Sequence, residues 1–564
     1  MHASVKTNSE NRDGGIRTRD PLNPIQVRYR AALRPVRVAT TPSQPNNQRR
    51  SPNLTDHPPP NNRPCRPFCP TLSPGISRQC QIALGRTGRH DALWNQKKPH
   101  ELNRRNGSNA TEYAESPTRK CTNSTNDITL ACQQPTPTPL QSLLPTPVPL
   151  TGSNPIDTLW IAIASGLVLL MTPALALFYG GLVRSKSILN TMMMSLASFG
   201  VVGVPWIILG YSLAFGSGNA VLGNLDHAFL LGVGLEAKGA IPHLLFMAYQ
   251  GTFAFITAGL ISGALVERMR FSAYLVFIAI WSVAIYAPIA HWVWGGGWLG
   301  AWGVLDFAGG TVVHIAAGTA AGIGAVVVGQ RRDYGRQAFL PHNVPMMLTG
   351  TALLWFGWLG FNGGSALAVN GAMVVALVNT IIAPMATLAV WLTLDLWRTR
   401  HATAVGAGTG IVVGLVAITP ACGFVSPLGA LTIGAIAAIP SYFAIARRAS
   451  TRLDDSLDVV GAHGVGGVMG ALLTGVFATK AWGAPTNGLL YGDPSLLLKQ
   501  AVGVLATITY AGIGTFVVLH LVALIRPLRV PVKDEAGGLD VSQHGEEGYS
   551  DGEGAMLVLQ DSAA

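Results

Sequence analysis

Charge is scarce in this sequence. Of its 564 residues only 12% are Asp, Glu, Lys or Arg, where a soluble domain carries about 25%. The shortage excludes an ordinary water-bathed globule over most of the chain and points to a membrane protein. Cysteine is nearly missing from the larger part: Cys65, Cys69, Cys80, Cys121 and Cys132 fall early, and Cys422 stands alone. No His or Cys pair at zinc-finger spacing follows Cys65 and Cys69, which argues against a metal site, and Cys422 needs no disulfide. No P-loop or Walker pattern is present, and no nucleophile–base set. Primary active transport and a membrane enzyme are both disfavoured.

What charge there is divides the chain in two. Residues 1–150 hold 21 Lys and Arg against 9 Asp and Glu, while the other 414 residues hold 18 against 19. The basic balance therefore belongs to the N-terminal segment and says nothing for nucleic-acid binding by the rest. That segment is rich in Pro, Asn, Arg and Ser, keeps no helical or strand period, and is expected to be disordered. It lacks the basic, apolar, small-residue order of a signal peptide. Its GGIRTRDP run resembles spurious translations upstream of real genes, which implies a start before Thr158. No methionine lies between Met1 and Met171, so that start would use another codon.

From Thr158 onward apolar runs of about 20 residues recur, each enough for a membrane-crossing helix. Eleven are predicted, near 158–179, 189–215, 241–265, 272–292, 307–329, 344–361, 367–396, 402–419, 427–446, 459–478 and 500–525. The fold class expected is all-α and polytopic: residues 151–525 form the eleven-helix domain and 526–564 a tail. Loops after the odd-numbered spans carry Arg184, Lys186, Arg268, Arg270, Arg331, Arg332, Arg336, Arg398, Arg400, Arg447, Arg448 and Arg452. The alternate loops carry only Lys238, Lys480 and Lys499. Basic residues favour the inner side, so the N-terminus is expected outside and the tail in the cytoplasm. Trp292, Trp298 and Trp302 are expected in the interfacial aromatic belt.

Five spans plus five of opposite direction suggest an inverted repeat. FYGGL (Phe178–Leu182) ends span one inside, and FNGGS (Phe361–Ser365) ends span six outside. Asp306 precedes His314 by eight residues, and Asp455 precedes His463 by eight. Eight helical residues rise about 12 Å, so entry from opposite sides brings both histidines to similar depth. Ionisable groups inside a membrane are expensive and mark function by default. Each histidine stands among small residues, in VVHIAAG and GAHGVGG, which leave room for close helix approach. The companion reading of either histidine is a satisfied packing residue. Asp454, Asp455 and Asp458 are expected to form structural ion pairs with Arg447, Arg448 and Arg452.

The motifs LDFAGGTVVHI, HWVWGGGWL, GALVERMRF, GWLGFNGGSA, TPACGFVSP and DVVGAHGVGG closely resemble those of the ammonium transporter family (Amt/Mep/Rh), most of all its bacterial Amt members. The resemblance implies a homotrimer in the plasma membrane, each protomer enclosing its own narrow hydrophobic pore, with no cofactor and no metal. It implies an outer cation-recruitment site at Phe253, Trp294 and Ser365, with Tyr249 and Gln250 adjoining. It also implies an aromatic gate of Phe253 and Phe361, pore histidines His314 and His463, and an acid below the vestibule at Asp306. For Asp306 two roles stay open, proton acceptor and cap of the backbone N–H groups that open span five.

The tail resembles the family's GLD…HGE..Y signature in Gly538, Leu539, Asp540, His544, Gly545, Glu546 and Tyr549. That likeness implies a regulatory tail and, in bacteria, a trimeric PII signalling protein that plugs the inner exits. Being polar and acidic, Gly537–Gly554 is expected to dock on the basic loops at Arg268/Arg270, Arg331/Arg332/Arg336 and Arg447/Arg448, or to remain mobile. Two other functions stay in view. A passive gas channel of the Rh type would need the histidines but not Trp294 and Ser365. An ammonium sensor would usually carry an added signalling domain, for which the tail is too short.

Overall fold

The protein is described here by a computed structural model, covering residues 150–549. The basic N-terminal segment with its five cysteines, and the end of the tail at 550–564, lie outside the described residues. Ten helices are long and apolar enough to cross a membrane: α1 (Pro155–Leu182), α2 (Ser185–Phe215), α3 (His243–Ser262), α4 (Phe271–Trp302), α5 (Gly310–Val328), α6 (Val344–Gly364), α7 (Gly371–Thr399), α9 (Pro427–Arg448), α10 (Val460–Phe477) and α11 (Ser495–Ile525). Between α7 and α9 stands α8 (Ala404–Ile418), a shorter apolar helix at the predicted 402–419 run. Two short tail helices follow, α12 (Val532–Gly537) and α13 (Leu539–His544). The strands β1 (Ala237–Lys238) and β2 (Ile241–Pro242) pair antiparallel ahead of α3.

Local sequence sets the helix starts. Asn154, Asn343, Asn370, Thr403 and Ser426 each turn a side-chain oxygen onto the first free backbone N–H groups of α1, α6, α7, α8 and α9. Such caps contribute about 0.5–2 kcal/mol each. Proline follows the cap in α1 and α9, where its missing N–H costs nothing.

Burial separates inner helices from outer ones. The most apolar stretches of α3 and α5 are 78% and 72% buried, that of α11 only 28%. On α11, Leu505, Ile513 and Leu524 face outward with more than half their surface exposed, as suits a surface solvated by lipid rather than water. Without a hydrophobic force between helices in lipid, close packing must come from small residues. The α1–α6 contact meets this need at Gly350, where a methyl group would overlap the Phe178 backbone.

Buried ion pairs tie together the ends of α3, α5 and α10. Arg331 forks onto Asp454, with Nη2–Oδ1 at 2.8 Å and Nε–Oδ2 at 3.0 Å, and its Nη1 meets Glu267 Oε2 at 2.5 Å. Arg184 Nε donates to the other Glu267 oxygen at 2.7 Å. The Phe339 ring lies under the Arg331 guanidinium, 3.9 Å from its centroid. Breaking one partner out of such a buried set typically costs about 3–5 kcal/mol. The expected partners of the aspartates are thereby corrected. Only Asp458 pairs with Arg448, at 2.6 Å. Asp454 takes the distant Arg331, because a planar guanidinium buried there can satisfy both carboxylate oxygens at once.

Asp455 makes no ion pair among the described residues. Its oxygens accept from Val459 N at 3.1 Å and Val460 N at 2.7 Å, at the start of α10. Burial first, and the Asp458 carboxylate second, push its acid up to about 6. The unfolded chain would hold that acid near 4. Between the two values the folded state binds more protons than the unfolded one, so stability falls as pH rises from about 4 to about 6. The Asp455→Asn variant keeps the shape of the protonated acid and removes the titration. Unfolding in detergent across that window should show the wild type losing about 2–3 kcal/mol relative to the variant. Parallel curves would mean that Asp455 ionises as an ordinary carboxylate.

Candidate functional site

Trp294 ends the main turn of α4, just before Gly295–Gly297. Its Nε1 donates to the Asp306 carbonyl at 2.8 Å, which fixes the indole over the loop that opens α5. The ring is half-buried and meets Phe253 of α3 edge to face, centroids 6.1 Å apart at 87°. Ser365, at the end of α6, donates its hydroxyl to the Phe361 carbonyl at 2.8 Å. Tyr249 OH bonds the Gly360 and Phe361 carbonyls at 3.0 and 3.1 Å and lies 3.4 Å from Ser365 Oγ. With its own proton given away, the serine oxygen keeps lone pairs for an incoming donor.

Phe253 and Phe361 stack beneath this pair at 4.2 Å and 22°, both fully buried. Below them lies His314, parallel to Phe361 at 6.0 Å and to Trp358 at 5.3 Å. Its Nδ1 is 3.3 Å from Nδ1 of His463. Two carbon-deep helices meet this closely because Gly318 lies against Gly464, and a methyl on Gly318 would overlap that backbone. Both histidines sit in one-turn π segments, Gly310–Ile315 and Val460–Val465, that open their helices. Such wide turns recur at functional sites because they re-aim side chains without ending the helix.

His314, His463, Trp358 and Phe361 line a cavity otherwise walled by Met171, Leu175, Phe178, Ile256, Leu260, Leu354 and Val412. Its volume is about 10 Å³, room for about one water-sized molecule. No side chain lining it carries a fixed charge. The buried Nε2 of His314 has no hydrogen-bond partner among the described residues. Asp306 is placed to the side of this line. Its Oδ1 accepts from Gly309 N and Gly310 N at 2.8 and 2.7 Å, its Oδ2 from Thr311 N and Val312 N at 2.7 and 3.1 Å. All of its strong acceptor directions are taken by the backbone.

The tail residues gather elsewhere, on the chain's own α2 and the segment just before α6. Asp540 Oδ1 accepts from Asn190 N at 2.8 Å, His544 Nε2 is 3.1 Å from Asn190 Nδ2, and Tyr549 OH is 3.0 Å from His342 Nε2. Gly538, at φ +111°, makes the turn between α12 and α13, and Glu546 is exposed. Within the chain, two of the expected arginines are engaged elsewhere. Arg268 and Arg331 are buried in other bonds, and the tail meets Arg332 through its backbone N–H, 2.6 Å from Glu535.

Trp358 escaped the sequence reading. It lies three residues before Phe361, hence on the same face of α6, and that spacing in GWLGF was the available signal. Trp292 is buried and donates its Nε1 to the Val221 carbonyl at 2.8 Å. Among the described residues no group of three or more His, Cys, Asp or Glu side chains is placed to hold a metal ion.

Comparison with known proteins places this geometry. A profile of the Ammonium Transporter Family matches residues 159–549. The ammonium transporter of Bacillus subtilis (strain 168) is 46% identical over 400 residues, 70% of this chain and 98% of the relative. The crystal structure of Saccharomyces cerevisiae Mep2 is similar at a TM-score of 0.64 and 33% identity, over 68% of this chain and 89% of Mep2. A structure described as a Sensor Amt Protein is similar at a TM-score of 0.65 and 30% identity, over 69% and 98%.

Proposed function

Because this chain belongs to the Ammonium Transporter Family, we propose that it carries ammonium nitrogen across the plasma membrane as a transporter, not an enzyme. In this reading the cation is taken up at an outer aromatic site and loses a proton, and ammonia then passes the paired histidines. One observation carries it. Trp294, Phe253, Phe361, His314 and His463 stand in ring-to-ring succession, running from a half-buried indole to an uncharged cavity.

Ammonium is a small cation with four N–H donors. The Trp294 face attracts it by about 0.5–2 kcal/mol, depending on desolvation, and Ser365 Oγ accepts one N–H. Potassium is similar in size but has nothing to donate. Past the phenylalanine pair a bare cation would lose its water and meet no counter-charge, at a cost of many kcal/mol. Removing one proton avoids that cost. With a single proton between the two Nδ1 atoms, one ring offers an accepting Nε2 and the other a donating one. The pair therefore suits neutral ammonia, and a switch of tautomers would hand a proton along separately. For Asp306 the four backbone bonds favour the cap: it fixes the turn that opens α5 and adds a negative field near the entrance.

The proposed topology is eleven spans, the short α8 included, as an inverted five-helix repeat with the N-terminus outside and the tail inside. The basic loops and the two matched Asp–π-turn–His units support it. Three copies would form a homotrimer, with a PII-type protein at the inner face and the tail residues Gly538, Asp540, His544, Glu546 and Tyr549 as its relay. A Rh-type gas channel is less well supported, since Trp294 and Ser365 would then have no task. A sensing role is the second reading, favoured by the likeness to the Sensor Amt Protein.

Three outcomes test this reading on reconstituted protein. Trp294→Leu with Ser365→Ala should cut ammonium-evoked current about tenfold at low concentration and much less at saturation. Wild-type uptake at every concentration would remove the recruitment role. His314→Ala with His463→Ala should abolish the current or admit potassium, and normal current with normal selectivity would refute the relay. Truncation after Arg529 should lower flux while insertion in the membrane persists. Unchanged flux and unchanged PII binding would show that the tail does not regulate.

A further inference from the structure

His291 lies one turn before Trp294 and is buried to 1% exposure. Neither ring nitrogen faces a side chain. Nδ1 stands 3.0 Å from the Ala214 carbonyl and Nε2 stands 2.7 Å from the Asn219 carbonyl. A carbonyl oxygen only accepts, so a ring that satisfies both has a proton on each nitrogen. A neutral ring would satisfy one contact and turn a lone pair on the other oxygen, a buried mismatch.

The Ala214 carbonyl belongs to the last turn of α2 and the Asn219 carbonyl to the loop that follows it, and that loop is firm on its own side. Asn219 Oδ1 accepts from Val221 N and Leu222 N at 2.8 and 3.0 Å, and Asn219 N bonds the Leu222 carbonyl at 2.9 Å. Further bonds join it to the end of α4. Trp298 N donates to the Ala220 carbonyl at 2.9 Å, and Trp292 Nε1 donates to the Val221 carbonyl. Gly295 is pressed between the Ala214 carbonyl and the His291 ring, with no space for a side chain. The segment carrying Trp294 is thus held from two sides, by this loop through His291 and by the Asp306 carbonyl through the indole N–H.

We infer that His291 is a positioning residue for Trp294: a doubly protonated imidazole that clamps the loop after α2 to the turn presenting the indole. The clamp sets how the aromatic face is offered to the cation, and in that sense it rests on the recruitment reading above. Each of its N–H groups is met by a carbonyl oxygen, at 3.0 and 2.7 Å. His291 itself does not touch the transported species.

The test uses the full chain in lipid, with His291→Phe, which keeps a ring without N–H groups, and His291→Gln, which returns a donor from one nitrogen. In nitrogen-15 histidine spectra of the wild type at neutral pH, the signals lost in His291→Gln should report two protonated nitrogens. One bare nitrogen would overturn the inference without requiring His291→Phe to fold. In His291→Phe, hydrogen exchange at residues 217–223 should quicken, and the half-saturating ammonium concentration should rise about fivefold with maximal current held within about twofold. His291→Gln should fall between. Unchanged exchange, or an unchanged half-saturating concentration where Trp294→Leu raises it, overturns the positioning role. If Trp294→Leu is itself without effect, recruitment at Trp294 fails and the positioning role falls with it. The spectra and the exchange rates then still decide the clamp separately.

Discussion

The desolvation of a cation is the constraint on which the site depends. Beside His314 and His463 no group could compensate an ammonium charge, and the walls are aliphatic and aromatic. Under the proposed function, a path with that lining would select for the neutral species at its narrowest point and move the handling of charge to its ends. The helix crossing answers the same constraint. Glycines at 318 and 464 bring α5 and α10 close enough for two imidazoles to bond each other. Each histidine thus finds its polar partner inside the path, without an acid that would bind the cation and hold it there.

The ion pairs of Arg184, Glu267, Arg331 and Asp454 gather at the other end of α5. Arg331 joins the α3–α4 turn, through Glu267, to the segment before α10, through Asp454. Two backbone outliers flank the set, Glu267 at φ +68° and Asp458 at φ +64°. Strained residues of this kind persist where surrounding bonds over-determine them, and here the bonds are charged and buried. The helices that carry the two histidines and Phe253 therefore share a rigid base. Lateral drift of α10 against α5 would have to break it.

The spans were legible because a membrane crossing demands about 20 apolar residues, and few other structures do. Only α8 fell short of that length, though its run was recognised. The histidine pair was legible from its matched spacing to Asp306 and Asp455. Partner choice was not. Asp454 stands beside three arginines in sequence, yet its partner lies 123 residues away, since only the fold decides which guanidinium is buried with it. The π turns left no trace, because one wide turn shifts the helical period too little to read in a run of small apolar residues. His291 was passed over for a related reason. Its partners are backbone carbonyls 77 and 72 residues earlier, and a backbone acceptor has no residue type to recognise.

The two histidine-bearing helices begin with one device built from different residues. An acid eight positions before the histidine bonds the backbone N–H groups of the first turn, and a π segment follows. On the α5 side the sequence DFAGG bends tightly, with Gly309 at φ +113°, and brings four N–H groups onto Asp306. On the α10 side DSLDVV lacks that glycine turn, and Asp455 collects two. Burial raises the Asp306 acid above the usual carboxylate range, and the four backbone donors oppose that rise. Asp455 has two donors, and burial together with the neighbouring Asp458 carboxylate pushes its acid up to about 6. Matching scaffolds thus present a buried acid with four backbone donors on one side and two on the other, and the difference traces to the glycine turn at Gly309–Gly310.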